Sequence, residues 1–192
     1  MKKWWISCAA AVILVCCGIA GCSGEKDQTQ QQEDVKPLVI GENGYGSLYE
    51  NLPDSDVSYS DEEIDKITEG ISEWAQSTLL YDSSLDQSKK ELIDTGLYES
   101  IVSEEDLEKV KSDRQSFYAD NAEVVIHQAE TAVASATVTR YDNKDLGKVR
   151  CETRIYGTRN GETFTRSYQL SLVINYNEGI TAVYEIGKIE WE

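Results

Sequence analysis

The chain has 192 residues, with 35 Asp and Glu against 18 Lys and Arg, one His and five Cys, for a formal net charge of −17. That length accommodates one ordinary domain. The acidic balance argues against nucleic acid, whose phosphates are neutralised by Lys and Arg, and against a basic membrane-surface helix.

Lys2 and Lys3 are followed by an uncharged run, Trp4 to Ala20, that ends in small residues. A positive start, an apolar stretch and a small-residue end form the layout of an export signal. At 17 residues the run is at the lower limit for spanning a bilayer, so an uncleaved signal anchor is the alternative. Its end, Ile19-Ala20-Gly21-Cys22, resembles the lipobox of bacterial lipoproteins of the Gram-positive type. That resemblance implies cleavage between Gly21 and Cys22 and a diacylglyceryl group on Cys22. It also implies anchoring on the outer face of the cytoplasmic membrane. Two acyl chains hold durably where one binds reversibly. Cys8, Cys16 and Cys17 fall in the removed segment, so Cys22 and Cys151 remain and no intramolecular disulfide is expected.

Residues 1–21 are thus read as a signal peptide, 22–58 as an acidic, Gln-rich tether and 59–192 as the folded domain. Glu25 to Asp34 has no apolar residue and three consecutive Gln, too little to offset its ordering entropy. A flexible coil of the tether's length spans on the order of 35 Å. Within it, Pro37-Leu38-Val39-Ile40 and Tyr45-Gly46-Ser47-Leu48-Tyr49 are expected to dock on the domain or to bind a partner. Charge is uneven: residues 22–118 hold 24 acidic and 8 basic residues, and residues 119–192 hold 11 and 8.

Ser60-Asp61-Glu62-Glu63 is a capping box. Ile64, Ile67, Ile71 and Trp74 then recur at helical spacing, which predicts an amphipathic helix to about Leu80. A second helix is predicted over Asp86 to Asp94, stopping at Thr95-Gly96, and a third from Ser103 toward Phe117. From Asn121 the period falls to two. Five strand runs are predicted: around Val124–His127, Ala132–Thr139, Val149–Ile155, Phe164–Tyr176 and Ile180–Trp191. Asn160-Gly161 is the strongest hairpin signal; Asp142-Asn143 and Asn177-Glu178-Gly179 mark two more turns. Ile189 and Trp191 fall on the opposite parity from Ile186, as a bulge at Gly187 requires. The row Ala132, Ala134 and Ala136 is expected to face the first helix.

The expected class is therefore α+β, with N-terminal helices packed on a curved antiparallel sheet of about five strands. This order resembles the cystatin-like and nuclear-transport-factor-like folds, as in exported conjugation-assembly proteins. Those folds host enzymes, ligand binders and scaffolds alike. His127, by parity, sits on the polar face, and Cys151 sits in the core, so they are not a nucleophile pair. One His without CxxC or HxxxH argues against zinc. Asp54-Ser55-Asp56, Asp82 and Asp86 lack a calcium loop. No cofactor is expected. Tyr168, Tyr176, Tyr184 and Trp191 read as mostly core, whereas Tyr156 shares its face with Arg150 and Arg154. Arg beside exposed Tyr suits a protein interface, and these three are the candidate partner contacts. The expected function is a membrane-anchored, non-catalytic interaction or assembly module with an unidentified protein partner. Small-ligand or peptide binding between helices and sheet is the alternative, and an enzyme the third reading.

Overall fold

The computed structural model describes residues 47–177 and 179–192. The signal segment, Cys22 and the stretch through Pro37–Ile40 and Tyr45-Gly46 lie outside the described residues. A short helix α1 (Leu48–Asn51) comes first, followed by α2 (Asp61–Thr78), α3 (Gln87–Ser100) and α4 (Glu104–Phe117). A 3-10 turn (Ala119–Asn121) leads to four strands: β1 (Val124–Tyr141), β2 (Lys144–Arg159), β3 (Glu162–Asn177) and β4 (Ile180–Trp191). The strands form one antiparallel sheet in the order β1-β2-β3-β4. The class is α+β.

Helix starts follow the local chemistry. Ser60 and Glu63 close the capping box: Glu63 N–H donates to Ser60 Oγ, and Ser60 N–H donates to Glu63 Oε2 at 2.9 Å. Asp86 caps α3 and Ser103 caps α4. Such caps contribute about 1 kcal/mol each. Contrary to the sequence reading, α3 does not stop at Thr95-Gly96 but continues to Ser100. Helical Gly costs about 1 kcal/mol relative to Ala. Burial of Leu97 in the core, and the packing of Tyr98 against it, outweigh that cost.

Four strands, not five, form the sheet. The first two predicted runs are one 18-residue strand, β1, interrupted by two bulges. Ile126 pairs with Gly157 and Gln128 with Tyr156, leaving His127 as the extra residue. Val133 pairs with Cys151 and Ser135 with Arg150, leaving Ala134 as the second. Each bulge flips the facing of the strand without turning it. The expected alanine row is therefore absent: Ala136 is buried, but Ala132 and Ala134 are exposed. The small residue at the helix–sheet crossing is on the helix instead. A Cβ at Gly70 of α2 would lie 2.6 Å from Cβ of Thr181 on β4.

Tight turns form at both two-residue hairpin signals. Asp142 and Asn143 both have positive φ, as do Asn160 and Gly161, the pattern of two-residue I′ hairpins. Gly187 is the expected bulge, since Leu172 pairs with Ile186 and Ser171 with Lys188. A second bulge at Tyr184 corrects the reading of β4: Val183 packs on the core, while Ile180 and Tyr184 are exposed.

The helices cover the apolar sheet face. Ile67 and Ile71 of α2 and Ile155, Leu172, Ile174 and Ile186 of the sheet are among the fully buried side chains. Each contributes roughly 1.5–3 kcal/mol. On the other face, Ser47–Ser58 forms a strap docked on the sheet. Leu52, with Leu146 and Val173, makes a small second core, flanked by Leu48, Tyr49 and Tyr141. The strap ends on β1, where Val138 N–H donates to the Val57 carbonyl at 2.9 Å and Ser58 bridges Thr137.

Candidate interaction surface

β2 alternates without a bulge, so its even positions from Lys148 to Thr158 share the outer face of the sheet. Arg150, Glu152, Arg154 and Tyr156 stand in a row there, opposite the buried Val149, Cys151, Thr153 and Ile155. This is the face that parity predicts. Arg154 Nε donates to Glu152 Oε1 at 2.7 Å, Arg150 Nε donates to Ser135 Oγ at 3.2 Å, and Tyr156 O–H donates to Glu130 Oε2 at 3.2 Å. Next to them lie Ser167, Gln169 and Ser171 of β3, then Lys188 and Glu190 of β4. The row is of mixed charge, with both arginines exposed and available to a partner. Exposed pairs of this kind contribute about 0–1 kcal/mol to stability.

Three of the other four arginines, Arg114, Arg159 and Arg166, serve the fold. Arg166 grips Asp113 through two hydrogen bonds, 2.7 and 2.9 Å, and lies over the Phe117 ring. Arg159 donates to the Phe117 carbonyl at 2.9 Å, and Arg140 pairs with Asp145. Arg114 is 4% exposed. Its Nε lies 2.5 Å from Asp94 Oδ1, its Nη1 donates to the carbonyls of Thr78 and Leu79, and its guanidinium stacks on Tyr81. One side chain of α4 thereby ties down α3 and closes the last turn of α2. Cations at a helix C-terminus also complement its dipole.

Cys151 is buried as expected, and burial pushes its thiol pKa up to about 12. A thiol so far from ionisation is inert at neutral pH. His127 is exposed on its bulge. Asp82 accepts from Ile126 N–H and Asp86 caps α3, which accounts for both carboxylates structurally. Among the described residues no group of three or more His, Cys, Asp or Glu is placed to hold a metal ion. A cavity of about 10 Å³, room for roughly one water, sits among Leu79, Leu97, Val110, Arg114, Tyr168 and Trp191.

One buried carboxylate escapes the sequence reading. Glu185 of β4 is 6% exposed and accepts three hydrogen bonds from the start of the strap. Its only sequence signal is an acid among apolar neighbours two residues before a Gly. Protein-family models, curated proteins and solved structures contain no match to this chain.

Proposed function

We propose that the protein is a lipid-anchored extracytoplasmic lipoprotein whose domain is a non-catalytic interaction or assembly module, with a cystatin-like or nuclear-transport-factor-like arrangement of helices on sheet. Lipidation at Cys22 places it on the outer face of a Gram-positive-type cytoplasmic membrane. The observation that carries the module reading is the contrast between the two sides of the sheet. On the covered side, the recess at Leu79, Tyr168 and Trp191 has a volume of about 10 Å³, whereas drug-sized ligand pockets run to hundreds of Å³. The outer side beyond the strap presents Arg150, Arg154 and Tyr156 to solvent-accessible space. Arg and Tyr are enriched where proteins meet.

Two experiments test this. In native membranes, cross-linking of the wild-type chain is compared with the double variant Arg150→Glu, Arg154→Glu. We expect one protein adduct to fall by about tenfold or more in the variant, with stability changed by less than about 1 kcal/mol. Equal adduct yield removes the patch from the interface. For the anchor, Cys22→Ala is expected to shift the protein out of the membrane fraction or leave it as a precursor. Normal processing and full membrane retention of that variant would refute the lipobox reading.

A further inference from the structure

The strap is fastened differently from the rest of the domain. At its start, Glu185 Oε1 accepts from Ser47 Oγ at 3.0 Å and from Tyr49 N–H at 2.8 Å, while Oε2 accepts from Leu48 N–H at 2.7 Å. These are the free amides of a four-residue helix, α1, which has no stability of its own at that length. Tyr49 sits in the notch made by the Gly187 bulge, where a Cβ would come within 2.7 Å of Tyr49 Cβ and Cγ. Lys148 lies over the Tyr49 ring at 5.0 Å and reaches Asp54 at 3.3 Å. Leu52, Leu146 and Val173 form a cluster separate from the main core. A small core separate from the main one, a helix too short to stand alone and polar fastenings concentrated at Glu185 and Lys148 are the features of a segment that opens below the global unfolding free energy.

We propose that Ser47–Ser58 is a releasable latch, clasped by Glu185 and seated on Gly187, that opens while the helices and sheet stay folded. Opening frees twelve residues, about 40 Å of extended chain, and uncovers Leu146 and Val173 on the same sheet face as the arginine row. The consequence for reach from the membrane rests on the lipid-anchor reading above. The latch itself does not.

Hydrogen exchange on the full chain, read by mass spectrometry, tests this. The amides of Leu48, Tyr49, Asn51 and Leu52, all hydrogen-bonded here, are compared with those of Leu170–Ile174 in β3. In the unaltered chain the strap amides are expected to exchange at least about tenfold faster than the β3 amides. Glu185→Gln turns an amide NH₂ toward Leu48 N–H, and Gly187→Ala wedges Tyr49 off the sheet. Each is expected to speed strap exchange by a further tenfold or so, leaving β3 unchanged. Strap and β3 amides exchanging together, in the unaltered chain or in both variants, would show that the strap is an integral part of the fold. Variants that leave strap exchange untouched would show that Glu185 and Gly187 do not hold the strap, and would overturn the latch. Membrane retention of Cys22→Ala would remove the effect on reach and leave the exchange result standing.

Discussion

Arg114→Met is expected to lower the free energy of unfolding by about 3 kcal/mol. The substitution keeps most of the side-chain volume, so the loss is electrostatic and not a cavity. Asp94, of which 28% of the side chain is exposed, loses its cation. The carbonyls of Thr78 and Leu79 lose their donor at the end of α2. An unsatisfied buried acceptor costs roughly 1–3 kcal/mol, and a buried charge left without its partner costs more. Partial exposure of Asp94 places the sum at the lower end of the range for broken buried pairs. Urea unfolding followed by tryptophan fluorescence gives the number. The double variant Arg114→Met, Asp94→Leu is expected to recover part of the loss, because it removes the stranded carboxylate along with its partner. A single-variant loss below about 1 kcal/mol would mean that the three helices are held by their apolar contacts alone.

This tie could not be read from the sequence, and the reason is general to the chain. Ser60, Asp86 and Ser103 cap helices through bonds three residues long, so the starts of α2, α3 and α4 are legible from local order. Arg114 meets Leu79 across 35 positions and Glu185 meets Ser47 across 138, and nothing near either residue announces its partner. Parity carries information over short range too. It places Arg150, Arg154 and Tyr156 correctly on the outer face because β2 has no bulge. It fails in β1, where His127 and Ala134 each shift the facing by one. Gln128-Ala129-Glu130-Thr131 then looks like a break between strands, although it contains no Gly, Pro, Asn or Asp to turn the chain. The bulge at Gly187 was readable because a glycine marks it; the one at Tyr184 was not.

Two glycines that look alike in sequence are expected to respond to alanine with opposite signs. Gly157 lies near the end of β2, paired with Ile126 directly beside the His127 bulge. There the kinked β1 backbone presses onto it: a Cβ would collide with the Val125 carbonyl oxygen and lie 2.8 Å from the Phe164 ring. The ring can give way, but the carbonyl belongs to the strand ladder. Alanine recovers about 0.5–1 kcal/mol of backbone entropy relative to glycine. Overpacking against backbone costs roughly 1–3 kcal/mol, so Gly157→Ala is expected to destabilise by up to about 2 kcal/mol. Gly96 lies within α3, exposed, with nothing within 4 Å of a Cβ. Gly96→Ala therefore keeps only the favourable part and is expected to stabilise by about 0.5–1 kcal/mol. Thermal or urea unfolding of both variants beside the parent gives the two signs. A neutral or stabilising Gly157→Ala would mean that β1 relaxes away from β2 at the bulge. The long strand would then be a loosely joined pair, closer to the five-stranded reading. A destabilising Gly96→Ala would mean that the last turn of α3 is held by Leu97 alone and not by continuous helix through Gly96.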